Sequence, residues 1–278
     1  MAGQVAAPRA VKPQTLGLVR IAVAPWATAL ATVGAAARLD RAAPQLSDLL
    51  GLDTPRGFPA EGAPLRTWAG AAVLAYVALL VVSRASAVGL YYHCEILWGC
   101  NTALVMAGWG LVRGLPLLVG TAVCIVGLDQ LAWYVDCLGW LVLRKWPIGV
   151  AKYLSAPTTS RVHFATSFHH LWFLPLCLAS LRGVGMPPLS YVASIALTSG
   201  LALAARLLTP FAVDEGKHIK VLNVNMSYAF WADVKIPGVH AFDHRHPALY
   251  LPYLIVVCNL YLNTLPVLVL YALANALR

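Results

Sequence analysis

Histidines and carboxylates stand inside or at the ends of long apolar runs of this 278-residue chain. Ionisable groups are expensive at such positions and are mostly kept for function. His93, Asp129, Asp136 and His169 are the candidates for catalysis. A histidine acting as general base, with a carboxylate that orients it or takes up its proton, suits activation of a thiol or of water in acyl chemistry on a lipid. Asp129, Trp133 and Asp136 fall at i, i+4 and i+7, so one helical face carries all three. His93, Cys100 and Asn101 fall at i, i+7 and i+8, again one face. His163 and His170 are seven apart, while His169 points about 100° away from His170, so one member of that adjacent pair is expected to face a bundle interior. Candidates for substrate binding are Glu95, Asn101, Trp133, His170, Asn223 and Asn225. Asn223 and Asn225 are expected to act as oxyanion or headgroup donors.

Each of these residues also has a plainer explanation. Asp136 would end a span at the interface, and Asp129 would hydrogen-bond a neighbouring helix. His93, beside Tyr91 and Tyr92, would belong to an interfacial aromatic belt. His240, His244 and His246 with Asp243 would form a solvated loop. Clustering of the set, and not any one residue, carries the functional expectation. The eight histidines invite comparison with membrane desaturases and hydroxylases, which hold two irons in HxxxH and HxxHH boxes. The spacings here, His163-x5-His169-His170 and His240-x3-His244-x-His246, depart from those boxes. No metal site and no cofactor are therefore assigned from the sequence. The six cysteines, Cys94, Cys100, Cys124, Cys137, Cys177 and Cys258, lie in apolar runs without a CxxC pair, so buried free thiols are expected.

The elements that must position these groups are helices. The chain is 60% hydrophobic and 11% charged, with a mean hydropathy of +0.72, against roughly 25% charged residues in a soluble domain. An all-α, polytopic membrane bundle of about seven transmembrane helices is expected, in a single domain covering 1–278. The runs are 16–37, 67–82, 85–112, 115–143, 162–181, 189–208 and 248–277, the first being the weakest and able to lie along the membrane surface instead. They are long and continuous, which excludes a barrel of ~10-residue alternations. Residues 1–15 are expected to form a disordered arm without a cleavable signal. The segments 38–66 and 209–247 are expected to be long loops, the second dense in polar residues. The net charge of +9 is scattered through short loops without a basic stripe, which argues against nucleic acid as a partner. With the N-terminus inside, more of the basic residues, Arg144, Lys145, Lys152 and Arg161 among them, fall on the cytoplasmic side. That orientation brings the histidines, the aspartates and the 209–247 loop to one leaflet.

Four stretches resemble a family of uncharacterised polytopic membrane proteins of bacterial type. They are His93-Cys94-Glu95-Ile96-Leu97-Trp98, Leu131-Ala132-Trp133-Tyr134-Val135-Asp136 with Gly139, Ser167-Phe168-His169, and Leu222-Asn223-Val224-Asn225. The first is similar to that family's His-x-Asn-Leu-Leu-Trp opening and the last to its Asn-Ile-Asn-Trp loop. Glu95 stands where the pattern has Asn, and Met226 where it has Trp. The resemblance covers about 91–262. It implies a bundle of six or seven helices and singles out His93, Asp136, His169, Asn223 and Asn225, but it implies no activity. A fainter likeness, a His/Cys pair opening one span and a His in a later one, points to intramembrane lipid hydrolases and acyltransferases of the androgen-induced type.

The expected function is that of an integral, multi-pass membrane enzyme acting on a lipid or other apolar substrate at the cytoplasmic leaflet through a His/Asp cavity. The expected partners are membrane lipids, an apolar or lipid-like substrate and other membrane proteins. Which membrane holds it, the sequence leaves open. The alternatives are a proton- or ion-coupled transporter, which needs polar groups traceable to both faces, and a non-catalytic subunit of a larger membrane complex, which needs its polar groups paired off with no cavity.

Overall fold

Apolar residues on every side of a helix force it into the centre of a bundle. The helix Pro116–Leu143 meets that condition, and two-thirds of its most apolar stretch (67%) is buried. The computed structural model describes residues 7–13, 16–17, 19–52, 55, 57–157, 159–216, 219–234 and 236–277. Of the basic residues and histidines, Arg56, Lys217, His218, Lys235 and Arg278 lie outside these described residues.

About 70% of the chain is helical. In chain order the helices are α1 Ala24–Leu50, α2 Ala63–Val88, α3 Gly99–Arg113, α4 Pro116–Leu143, α5 Arg161–Thr166, α6 His169–Ser180, α7 Leu189–Leu208, α8 Pro247–Ile255 and α9 Thr264–Ala276. Three of them, α2, α4 and α7, are long and apolar enough to cross a membrane. Two bent pairs raise the number to five if each is one span: Leu90–Leu97 with α3, bent by 69°, and α8 through its π-helical continuation Val256–Leu262 into α9, bent by 43°. Large apolar side chains such as Leu65, Trp68, Leu79, Leu138, Val192 and Leu265 stand exposed on the outer faces of these helices. That is the arrangement expected where the surrounding medium is hydrocarbon.

Several boundaries differ from the sequence expectation. The segment 38–66 is not one irregular linker, because α1 runs on to Leu50 through Pro44 and α2 begins at Ala63. Asp40, one turn before Pro44, accepts a hydrogen bond from the Leu117 amide at 2.9 Å, so its carboxylate satisfies the start of α4, whose own preceding residue, Leu115, supplies no side-chain cap. The expected third span is broken at Trp98 into a 3-10 segment, Leu90–Leu97, and α3. The expected fifth span is broken at Ser167 into α5 and α6. A helix broken inside an apolar bundle must have its freed backbone groups satisfied by neighbours, and both breaks are, as described below. The 209–247 segment contains an antiparallel pair, β1 Ala212–Asp214 and β2 Ile219–Val221, with Val213 opposite Lys220. Val11 adds a parallel bridge to Val213, donating to the Ala212 carbonyl and accepting from the Asp214 amide. The described part of the N-terminal arm is thus tied to β1, and the expectation of a disordered arm does not hold at Val11.

Candidate functional site

A cavity of about 1490 Å³ opens between α4, α6, α7 and the 209–247 segment. Asp129 and Trp133 of α4, Cys100 and Asn101 of α3, and His169 and His170 of α6 border it. Cavities of this kind, with apolar walls and a few convergent polar groups, are the usual form of small-molecule sites.

Two helix breaks place these groups. At the first, the Gly99 amide donates to Asn225 Oδ1 at 2.7 Å, and Asn225 Nδ2 donates back to the Leu97 carbonyl at 2.6 Å. Asn101 and Thr102 reach across the same break to the carbonyls of Glu95 and Ile96, at 2.7 and 2.8 Å. At the second, the side chains of Thr166 and Ser167 bond back to carbonyls of α5, and Ser160 caps α5 by accepting from the His163 amide at 3.1 Å. The turn at Ser167 lets α6 open on His169 and His170 with both side chains buried.

A buried network holds His169 in place. Arg84 of α2 pairs with Glu95 at 2.7 Å, donates to Thr166 Oγ1 at 2.8 Å and reaches Ser167 Oγ at 3.5 Å. The Thr166 carbonyl accepts from the Tyr76 hydroxyl at 2.7 Å and lies 2.8 Å from His169 Nδ1. A carbonyl only accepts, so Nδ1 carries the proton and His169 Nε2 presents a lone pair. Nε2 has no hydrogen-bond partner, although His169 is only 2% exposed. His170 is 7% exposed, its Nδ1 also lacks a hydrogen-bond partner, and that atom lies 4.0 Å from Asp129 Oδ2. The two imidazole centroids are 4.2 Å apart, and Trp133 stacks on His170 at 5.5 Å. Both histidines therefore face inward, where helical spacing led us to expect one. The reason is that neighbours cover two faces of the first turn of α6, with Tyr76 of α2 beside His169 and Trp133 of α4 beside His170.

Tyr153, on the 3-10 turn Lys152–Ser155, completes this wall. Burial pushes its phenol up to about 12, against the opposing influence of Ser167 and Trp133. It therefore stays a neutral O–H donor at physiological pH. His244, on the far loop, is held below the usual histidine range by burial, with Asp243 opposing.

Not every expected residue belongs to the cavity. His93 lies apart from it, accepting on Nδ1 from the Trp26 indole of α1 at 3.2 Å. Asp136 is fully buried and does not border the cavity. Its two oxygens accept from the amides of Ile148, Gly149 and Ala151 at 2.7 to 3.0 Å. The 144–155 loop folds back over this face of α4 so tightly that a Cβ on Gly139 would meet Pro147 at 2.5 Å. Asp136 and Gly139 thus anchor a loop, and of the four residues expected to be catalytic, Asp129 and His169 border the cavity while His93 and Asp136 do not.

Of the expected binding residues, Glu95 borders the cavity but is paired with Arg84, and Asn101 is engaged at the helix break. Asn223 accepts from the Tyr228 amide at 3.1 Å and donates to the Ala229 carbonyl at 2.8 Å. Asn223 and Asn225 both have positive φ, 38° and 53°, a conformation that Asn tolerates better than most residues. Both residues border the cavity, with their side chains engaged by backbone groups in a turn and two latches.

The HxxxH pattern does not converge either. His240 lies between Asp243 and the Val234 carbonyl at 2.6 and 2.8 Å, while His246 caps α8. Sequence reasoning gave no site role to Arg84, Tyr153 or Ser167. Arg84 was readable only as a basic residue following an apolar run, and its pairing with Glu95 across the start of the next element had no local signal. Comparison with known proteins finds no matching family model, no matching curated protein and no matching solved structure.

Proposed function

We propose that this protein is an integral, multi-pass membrane enzyme that acts on a lipid or other apolar substrate within the cavity at α4 and α6, on the cytoplasmic leaflet. The bundle has seven passes in this proposal, with α1 and the α5–α6 pair also embedded and the N-terminus inside. One observation carries it: His169 Nε2, a buried lone pair with no partner, faces a large cavity beside Asp129 and His170. A subunit with a purely structural role would be expected to pair such groups off, since an unpaired buried polar group destabilises the fold.

The chemistry this arrangement suits is attack of water, or of a substrate hydroxyl, on an acyl carbon. His169 Nε2 removes the proton as the new C–O bond forms, and Asp129 steadies the resulting positive charge through His170. The neutral Tyr153 O–H and the Trp133 N–H donate to the carbonyl oxygen as negative charge develops on it. The acyl C–O bond to the leaving group then breaks, and that group takes the proton back from His169.

The test is a turnover screen of the full-length protein in vesicles carrying neutral and anionic ester lipids and long-chain acyl esters. Hydrolysis or acyl exchange is expected, and His169→Ala should lower kcat/KM by about 10²–10⁴-fold. No turnover on the panel, or equal rates for wild type and His169→Ala, overturns the proposal.

A further inference from the structure

Cys100 Sγ and one nitrogen from each of His169 and His170 all lie within 4.8 Å of one another. This is the one such group of three or more potential ligands among the described residues. The geometry points to a binding site for a single divalent transition-metal ion, of the zinc class, held by Cys100, His169 and His170 at the cavity wall. The inference deepens the proposed function, on which it rests for what the ion does, by making His169 Nε2 a ligand and passing the role of base to Asp129; the presence of the site is a separate matter from turnover.

Three independent features of the structure favour an ion over chance proximity. First, the nitrogens are available. His169 Nδ1 is committed to the Thr166 carbonyl, which leaves Nε2, and His170 Nδ1 likewise has no hydrogen-bond partner, with both residues more than nine-tenths buried. Second, the commitment of Nδ1 is what a metal-bound histidine requires. Its other ring nitrogen donates to a carbonyl or carboxylate, which fixes both the ring and the tautomer. The Thr166 carbonyl that does this is itself steadied by Tyr76, and the Thr166 hydroxyl by Arg84. Third, the spacing closes with small movements. A tetrahedral ion with bonds of about 2.0–2.3 Å holds its ligand atoms about 3.3–3.7 Å apart, so an approach of roughly 1 Å suffices.

The donor set selects the class of ion. One sulfur and two imidazoles favour zinc and its neighbours over magnesium or calcium, which take oxygen ligands. Three protein ligands leave a fourth position for water, the pattern of catalytic rather than structural zinc. On binding, the Cys100 thiol loses its proton to solvent and the thiolate bonds to the ion. The site then carries one net positive charge, and Asp129, whose Oδ2 is 4.0 Å from His170 Nδ1, is a carboxylate placed to offset it. Glu95 is not available for this because Arg84 already neutralises it. With the ion in place, Asp129 rather than His169 is the group left to accept a proton from the fourth-position water.

The test is metal content of the full-length protein purified in detergent from zinc-supplemented cells. About one zinc per chain is expected, falling below about a tenth in Cys100→Ser and in His169→Ala, since loss of a ligand from a three-ligand site leaves little affinity. Cys94→Ser and His93→Ala, outside the site, should keep the full complement. Should a ligand variant fail to fold, the wild type is stripped with a chelator and titrated with cobalt. A thiolate-to-cobalt charge-transfer band that saturates at one equivalent supports the site. A folded wild type with neither zinc nor that band, or a Cys100→Ser variant with undiminished metal, overturns it. Stoichiometric metal without turnover on any lipid ester sinks the proposed function and leaves the site standing; turnover by metal-free protein sinks the site and leaves the function.

Discussion

Asp136 and His169 are both buried polar side chains near one end of the bundle, and both were expected to do chemistry. They differ in what surrounds them. Asp136 accepts from three backbone amides through both of its oxygens. His169 is fixed through one nitrogen and leaves the other unpartnered beside a cavity. The same contrast separates Asn223 and Asn225, latched to backbone groups, from His170, whose Nδ1 has no hydrogen-bond partner. A buried polar group whose donors and acceptors are all matched holds structure together. One that is rigidly positioned yet unmatched retains free energy that a ligand can release. Asp136 and His169 are alike in being polar and buried, and their partners distinguish them.

The largest effect that would break or sharpen the contrast concerns Arg84. It belongs to the matched class, with Glu95, Thr166 and Ser167 as partners. Arg84→Met should destabilise the protein by about 3–5 kcal/mol, because Glu95 is left charged and uncompensated in the interior. Unfolding of the detergent-solubilised protein monitored by circular dichroism measures this. A loss under about 1 kcal/mol would mean that water reaches Glu95 and that the network is not truly buried. Next comes the direct comparison. Asp136→Ala removes a charged acceptor from three amides and should cost about 3 kcal/mol, whereas His169→Leu should change stability by less than about 1 kcal/mol. Equal losses in the two variants would erase the distinction on which the site assignment rests. Among the matched groups, the smallest effect is expected for Asn225→Ala, at about 1–2 kcal/mol for two backbone bonds. Because that latch closes the break beside Cys100, the variant should also raise amide hydrogen exchange around Gly99. Unchanged exchange there would show that the break is held by Asn101 and Thr102 alone.

How much was legible can be followed along α4. Its boundaries, Pro116–Leu143, lie within a residue of the expected run 115–143, since a 28-residue apolar stretch opened by Pro has few alternatives. The shared face of Asp129 and Trp133 was equally readable, and both border the cavity. Asp136 lies on that face too, three residues beyond Trp133, yet the 144–155 loop folds back and covers it. Periodicity gives the direction of a side chain but says nothing of what a distant loop brings to meet it. His93 shows the same limit: it faces α1, a helix whose packing no local pattern encodes.

The sequence by itself determined the helical character, the apolar exterior and the positions of α4 and α7. Composition and periodicity are local quantities, and burial in hydrocarbon leaves the backbone little choice but to bond within each segment. The tertiary structure alone decided which polar groups are free. It broke the expected third and fifth spans at Trp98 and Ser167, brought Cys100 beside His169 and His170, and assigned Asn225 to the first break and Asp136 to a loop. The physical reason is that a polar group's role depends on the complete set of its hydrogen-bond partners. Those partners lie 12 to 15 residues away for Asp136 and 126 to 128 for Asn225, beyond the reach of any pattern read along the chain.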